Sequence, residues 1–319
     1  MELFRLFAML LAVGCMIVSL LGVGGAVIDR LDIFNHFAPI TLALALLAAL
    51  VQASFRRTME KPTLACALIA VLVSGAMMMP EFMAKAAQQR VSPRGQTIKV
   101  IELNSWSNNV DVRQTARWLM AQQADVLVVE EVVANSATIP ELVKRVYPYR
   151  NDCDPEVPCT TRILSRRRPT ASGVFPAPDA DGLHSSAWAT FGEGSSAYAV
   201  VGTHAPWPRP KDNQQAQTAL LASHLDGFDR RSLIVAGDFN STPWSFSLRR
   251  QDDMFGIERR TRALFTFPVQ KYSYYHVNTP VPFLPLDHIY AGSSWKTVLV
   301  TRGARTGSDH LPTVAILTR

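Results

Sequence analysis

The chain opens with three long apolar stretches and then changes character. Residues 6 to about 27 ("LFAMLLAVGCMIVSLLGVGGAV") carry no charge, and apolar runs at 38–55 and 63–79 follow, separated only by "RRTMEKP". About 20 uncharged residues suffice for a helix to cross the hydrocarbon core of a bilayer. The first run meets that length, and the other two lie near its lower limit. One such run would fit a buried core helix. Three in succession predict an anchor of three transmembrane helices over residues 1–84, the second and third forming a tight hairpin.

Beyond a linker at 85–96 the period shortens. Apolar runs of strand length occupy 97–104, 125–132, 196–205, 232–240, 286–292 and 297–302, and "TVAILTR" closes the chain. Two polar stretches read as helices: 111–124, with Val112, Ala116, Leu119 and Met120 at helical spacing, and 212–226. Strands interleaved with one-sided helices predict a layered α/β domain over 97–319.

Charge and cysteines bear on topology. The loop between the second and third runs holds Arg56, Arg57 and Lys61, whereas the first loop holds two aspartates and one arginine. The positive-inside rule places the second loop in the cytoplasm and the C-terminal domain outside. Cys15 and Cys66 fall in apolar runs as small core residues. Cys153 and Cys159 flank a polar, proline-containing loop that suits a disulfide, and disulfides persist in oxidising compartments. The expected location is the cytoplasmic membrane, multi-pass, with the domain periplasmic or extracellular. The net charge is +6, and arginines cluster at 166–168, at 249–250 and at Arg259, Arg260 and Arg262. These clusters fit a groove tracking a phosphate backbone, or a solvated face.

The strand ends carry the chemistry. "KVIELN" ends in Asn104, "VLVVEEV" carries Glu130 and Glu131, and "AVVGTHA" reaches His204. "LIVAGDFN" ends in Asp238 and Asn240, "PLDHIYA" starts at Asp287, and "TGSDHLP" sets Asp309 and His310 before the last strand. Any one of these fits a helix cap or a satisfied core residue. Six strands bringing carboxylate, amide or imidazole to one edge fit a site that holds hard metals and moves protons.

With those motifs in that order, the chain from about Thr97 onward resembles the endonuclease/exonuclease/phosphatase superfamily. This superfamily includes DNase I-like nucleases, sphingomyelinases and inositol polyphosphate phosphatases. "GDFN" and "SDHLP" are the most specific pieces, and "GDFNSTPWS" resembles the wording of bacterial membrane-anchored members. The resemblance implies a four-layered α/β/β/α sandwich preceded by transmembrane helices. It implies that Glu131, with Asn104 and Asp309, holds Mg²⁺ or Mn²⁺, as hard oxygen ligands would. It implies that His310 activates the attacking water while Asp287 fixes its tautomer. Asp238 would orient that water, Asn240 would donate its amide hydrogens to a phosphoryl oxygen, and His204 would stabilise the phosphorus centre or protonate the leaving oxygen. One departure is Glu130, where the family usually has glutamine; by strand alternation it should face away from Glu131, into a salt bridge.

The function expected is a membrane-anchored, metal-dependent phosphodiesterase acting on a phosphodiester, with nucleic acid as the first candidate substrate. The alternative is a phospholipid or small-molecule phosphoesterase, suggested by Val281, Phe283 and Leu284 ahead of Asp287. A catalytically dead scaffold would have lost site residues, and none is missing. Beyond the membrane, no protein partner follows from the sequence.

Overall fold

The computed structural model describes residues 2–54, 61–151, 159–177, 183–209, 211–269, 271–272, 277–278 and 281–319. Arg56, Arg57 and Cys153 lie outside the described residues. The chain forms two compact units, Met1–Ala87 with Ser241–Arg250, and Gln88–Asn240 with Gln251–Arg319.

The first unit holds α1 (Glu2–Gly24), a 3-10 turn at Asp29–Phe37, α2 (Ala38–Ser54) and α3 (Lys61–Ala87). Three helical segments are long and apolar enough to cross a membrane. Their packing inverts that of a water-soluble bundle. Ala12, Ala48 and Ala67 form one buried cluster, and Cys15, Ala45 and Ala70 form the next. Large side chains such as Leu10, Leu50 and Leu72 are turned outward. Small residues let helix backbones approach closely, the arrangement that holds helices together where the surroundings are as apolar as leucine. Ser19 and Ser74 add a hydroxyl–hydroxyl bond of 3.0 Å between α1 and α3.

The second unit begins with β1 (Thr97–Asn104), α4 (Val112–Gln122), β2 (Val126–Glu130) and α5 (Ile139–Val143). Strands β3 (Tyr149–Arg150), β4 (Arg162–Ser165), β5 (Ala171–Phe175), β6 (Ser186–Phe191) and β7 (Tyr198–His204) follow. Next come α6 (Lys211–Leu225), β8 (Leu233–Asp238), α7 (Phe246–Phe255, which starts in the first unit) and β9 (Glu258–Arg259). The two-stranded β10 (Lys271–Tyr272) and β11 (Val277–Asn278) precede β12 (Asp287–Ala291), β13 (Lys296–Arg302) and β14 (Thr313–Thr318).

Two six-stranded mixed sheets result, ordered β13-β14-β1-β2-β4-β3 and β5-β6-β7-β8-β12-β9. Alternation along β1 explains how they stack. Ile98 and Val100 point into the core shared with Val200, Ile234, Ala236 and Ile289 of the other sheet. Ile101 and Leu103 point the other way, against Ala116 and Leu119 of α4. The α/β/β/α sandwich is therefore the observed fold.

The sequence pattern missed β4, β5 and β6. β4 is only four residues long, and β5 and β6 are rich in Ser, Ala, Thr and Gly, so all three show little apolar alternation. It also ran the second strand too far: β2 ends at Glu130, and Glu131 turns to φ +53°. Four of the eight arginines read as a phosphate-tracking surface are committed elsewhere. Arg259 is buried and paired with Asp252 at 3.1 Å, and Arg260 donates to the carbonyls of Ala291, Gly292 and Trp295. Within the first unit, Arg249 donates to the Met77 carbonyl at 2.6 Å and Arg250 pairs with Asp29 at 2.9 Å. Their guanidinium groups satisfy buried or partly buried acceptors instead of presenting a free basic face.

Gly237 sets how closely β7 and β8 approach. A Cβ there would overlap the carbonyl oxygen of Thr203, its register partner on β7. Gly237→Ala is expected to destabilise the protein by about 1–3 kcal/mol, as overpacking of a rigid interior does. Denaturant unfolding followed by tryptophan fluorescence measures it, since all six tryptophans lie after residue 100. A change below about 0.5 kcal/mol, ordinary for a surface substitution, would contradict the account.

Candidate active site

Strand register assembles the site. β7 and β8 run parallel with His204 opposite Asp238, and β12 runs antiparallel to β8 with Asp287 opposite Asp238. In the facing sheet β1 and β2 are also parallel, with Asn104 opposite Glu130. Asp309 and His310 arrive in the turn before β14. That turn is tied to β1 by Ser308, whose hydroxyl donates to the Asn104 carbonyl at 2.6 Å and accepts from the His310 N–H at 3.0 Å.

His310 is the most heavily constrained group. Its Nδ1 lies 3.0 and 2.9 Å from the two oxygens of the fully buried Asp287. A carboxylate only accepts, so Nδ1 carries the proton and Nε2 is the free ring nitrogen. Nε2 lies 3.8 Å from Asp238 Oδ2. Burial disfavours the charged ring, but Asp287 and Asp238 outweigh it and hold His310 well above its ordinary value. Burial pushes Asp238 up to about 7 despite the attraction of His310. One oxygen from each of Asp238 and Asp287 and a ring nitrogen of His310 lie within 4.8 Å of one another.

Glu131 and Asp309 form a second acidic group. Glu131 Oε1 accepts from Asn104 Nδ2 at 3.0 Å, and Oε2 accepts from the Ser107 N–H at 2.8 Å. Burial works against its charge, yet His204 and these two donors keep it below the usual carboxylate range. Burial raises Asp309 to about 7, with Glu131 adding to the effect, and its Oδ1 is buried without a hydrogen-bond partner. A buried, unpartnered carboxylate oxygen beside a second carboxylate is what a hard divalent cation would satisfy. The donor set fits. Asn104 departs from the expected arrangement, because its Nδ2 bridges Glu131 and Asp238 while its Oδ1 accepts from the Trp106 N–H.

His204 and Asn240 form a pair. Asn240 Nδ2 lies 2.9 Å from the Ala205 carbonyl and 3.3 Å from His204 Nε2. A phosphoryl oxygen would have to take the hydrogen now turned to His204. Asn240 itself sits at φ +47°, and its N–H donates to Asp238 Oδ1 at 2.8 Å. His204 is kept below its ordinary value by burial.

A cleft of about 190 Å³ is lined by Asn104, Glu131, Asp238, Asn240, Asp309 and His310 together with Trp106, Ser107, Asn108, Trp207 and Phe267. Six of the eight residues expected from the sequence share it; His204 and Asp287 stand behind Asn240 and His310. The sequence reading passed over the aromatic wall. Phe267 packs on the His310 ring at 4.6 Å, and Trp207 is 57% exposed. Trp106, two residues past Asn104, and Trp207, in "HAPWP", were the available signals. His184, its ring tilted against that of His204 at 4.7 Å and lowered to about 4 by burial, had none.

Glu130 is the clearest correction. It is fully buried on the inter-sheet side, and neither oxygen has an ion-pair or hydrogen-bond partner among the described residues. Burial, then Asp287 and Asp238, pushes it well above the ordinary carboxylate range, and burial does the same to Glu102. Protonated, Glu130 would match in size and charge the glutamine the family usually has there.

The sequence pattern of the Endonuclease/Exonuclease/phosphatase family matches residues 101–310, more than half of the chain. The chain belongs to that family. It is a metal-dependent phosphoester hydrolase by that membership. No curated protein sequence matches it. Among solved structures it is similar to a family member from Bacteroides vulgatus, with TM-score 0.57, 14% identity, and coverage of 70% of this chain and 99% of that one. Sphingomyelinase C from Streptomyces griseocarneus gives 0.52, 15%, 70% and 100%. A double mutant of beta toxin from Staphylococcus aureus, solved with bound magnesium ions, gives 0.53, 13%, 70% and 100%. At these identities the likeness shows the shared fold.

The raised carboxyls have a pH signature. An acid raised on folding binds more protons in the folded state, so its stability contribution falls as pH rises from its unfolded value towards its folded one. The raised His310 has the same sign. Without divalent cation, the melting temperature should fall from about pH 5 to about pH 8, and Glu130→Gln should fall less and melt higher at the alkaline end. Thermal unfolding with a chelator measures both. Identical pH profiles for the two proteins would show that Glu130 ionises in place without cost.

Proposed function

We propose that this protein is a membrane-anchored, Mg²⁺- or Mn²⁺-dependent phosphodiesterase that hydrolyses a small phosphodiester carried on an apolar body, with a phospholipid headgroup as the preferred class. The observation that carries this reading is the cleft itself, an anionic floor walled by Trp106, Trp207 and Phe267. Two further facts support it. Val281, beside the site in sequence, is 68% exposed, and Arg249, Arg250, Arg259 and Arg260 are committed to acceptors of this chain. A second reading, nuclease activity, is favoured by Arg166, Arg167 and Arg168, which stay exposed.

In this reading Glu131 and Asp309 would hold the cation, with Asn104 Nδ2 bridging Glu131 and Asp238. The cation supplies neutralisation of charge on the phosphoryl and leaving oxygens. With a bound cation opposing the carboxylates that keep the His310 ring protonated, Nε2 would be left to take the proton of the attacking water while Asp287 holds Nδ1–H. Asp238 orients that water, and Asn240 with His204 contacts the phosphate or the leaving oxygen. The aromatic wall excludes water from the far side of the substrate. Anchoring through α1, α2 and α3 would place the second unit outside the cytoplasmic membrane. Cys159 is disulfide-bonded, as an oxidising compartment allows.

The assignments separate by variant. Glu131→Gln should lose activity and regain part of it at high Mg²⁺ or Mn²⁺, because the charge that holds the cation is gone but the shape remains. His310→Ala should lose roughly 10²–10⁴-fold at every cation concentration. Asp287→Asn should lose less than His310→Ala. Steady-state rates on sphingomyelin or phosphatidylcholine vesicles, single-stranded DNA and RNA measure these effects and rank the substrates. Near wild-type turnover in His310→Ala would refute the mechanism, and faster cleavage of nucleic acid than of lipid would favour the second reading.

Topology has its own test. An alkaline phosphatase reporter fused after Arg319 should be active, because that enzyme needs an oxidising compartment. An inactive reporter with a fluorescent cytoplasmic-type fusion would place the domain inside.

A further inference from the structure

Backbone strain is not spread evenly over this chain. Among the described residues six non-glycine residues have positive φ: Trp106, Gln123, Glu131, Ala134, Asn240 and Ala263. L-residues avoid that region, and bulky ones most of all. Gln123 is an ordinary case, the residue that caps the C-terminus of α4. Three of the others, Trp106, Glu131 and Asn240, line one cleft of about 190 Å³. Strained residues persist where their surroundings over-determine them, and they gather at functional sites. Glu131 and Asn240 are read above as serving the cation and the phosphate. Trp106, at φ +58°, serves neither.

The chain fixes the Trp106 backbone completely. Every N–H and C=O of Ser105, Trp106 and Ser107 has a partner. Ser105 N–H donates to the Glu130 carbonyl at 3.0 Å, and the Ser105 carbonyl accepts from Asn109 Nδ2 at 2.7 Å. Trp106 N–H donates to Asn104 Oδ1 at 2.9 Å. Its carbonyl accepts from Asn109 N–H at 2.9 Å and from the buried Ser136 hydroxyl at 2.6 Å. Ser107 N–H donates to Glu131 Oε2 at 2.8 Å, and Asn135 N–H donates to the Ser107 carbonyl at 3.0 Å. None of these bonds involves the indole. It is half-buried, and it makes no hydrogen bond, ring contact or cation–π contact among the described residues. The loop holds a strained backbone in place, and the ring it carries lines the cleft.

The rest of that lining shows what the ring can meet. Among the described residues it holds carboxylates, amides and the aromatic groups of Trp207 and Phe267, but no lysine or arginine. An indole beside a phosphodiester offers its apolar face to the organic substituent and not to the phosphate. The area it can bury grows with the size of that substituent. A wall ordered before binding also loses little freedom on binding, which sharpens its preference. We propose, resting on the phosphodiesterase reading above, that Trp106 is a specificity-determining residue, a fixed platform for the apolar substituent of the phosphodiester.

The test uses the full-length protein in detergent micelles with Mg²⁺ and three phosphodiesters that share p-nitrophenol as leaving group. Their second substituents are methyl, phenyl and thymidine. Trp106→Ala should lower kcat/KM about 10-fold or more on the phenyl ester and at most about 3-fold on the methyl ester, as loss of an apolar pocket contact does. Trp106→Phe, which restores an aromatic face, should recover most of that selectivity. The Mg²⁺ concentration for half-activation should not move in either variant, because the N–H groups to Asn104 and Glu131 remain. Thermal unfolding tests the strain separately. Glycine ordinarily destabilises relative to alanine, but at positive φ the order reverses, so Trp106→Gly should melt above Trp106→Ala. If Trp106→Ala does not fold, Trp106→Gly carries the substrate comparison. Equal losses on the phenyl and methyl esters, or no loss on either, would overturn the platform. So would a shifted Mg²⁺ requirement, or a Trp106→Gly protein melting at or below Trp106→Ala. A larger loss on the thymidine ester than on the phenyl ester would assign the platform to a nucleobase and overturn its apolar class. A wild-type protein inert on all three esters with Mg²⁺ and with Mn²⁺ would overturn the phosphodiesterase reading itself, whereas an active wild type whose selectivity survives in Trp106→Ala overturns the platform alone.

Discussion

Asp238 stands opposite His204 on one side and Asp287 on the other, and the strand register that sets this triple also sets the site. Side chains alternate faces along a strand, so a slip of one residue in β8 would turn Asp238 away and bring Gly237 or Phe239 in its place. The register is held by Val200, Ile234, Ala236 and Ile289, which must meet the facing sheet. Hydrophobic burial thereby fixes polar geometry. The facing sheet repeats the device, with parallel β1 and β2 carrying Asn104 and Glu130 to the same edge.

Gathering Glu102, Glu130, Asp238, Asp287 and Asp309 at one buried edge is electrostatically unfavourable. Two different answers coexist. Glu102 and Glu130, deepest in the inter-sheet core, are pushed by burial well above the ordinary carboxylate range, towards the uncharged form. Nearer the cleft, Glu131 keeps its charge with the help of Asn104 and Ser107, and Asp287 accepts the Nδ1 hydrogen of His310. The gradient from neutral acid to anion along a few residues separates supporting groups from those suited to a cation.

How much of this was legible in the sequence depends on the length scale of the signal. The strand-end residues Asn104, Glu131, Asp238, Asn240, Asp309 and His310 could be picked out because each sits where an apolar run stops, and the cleft contains them all. Strand β4 escaped because four residues are too few to show a two-residue period, and β5 and β6 because their small residues blur it. The fate of Arg259 and Arg260 was hidden for a different reason. A run of arginines reads alike whether its guanidinium groups face water or carbonyls, and only tertiary contacts with Asp252 and Trp295 decide between them. Glu130 misled because alternation predicts a face and not the polarity of what lies there. The contact of Asp32 with α7 spans 214 residues, beyond the reach of any local pattern.

That last separation bears on how the chain can be divided and in what order it matures. The acceptor, the Asp32 carboxylate, is synthesised first and must wait for β1 to β8 before its donors, the Phe246 and Ser247 N–H groups, exist, so the helix start it serves is completed late. A chain beginning at Gln88 would retain every residue of the hydrolytic cleft, yet it would leave the amides of Phe246 and Ser247 to water. Excision of the N-terminal helices therefore removes more than three apolar segments: it uncaps a helix inside the portion that remains.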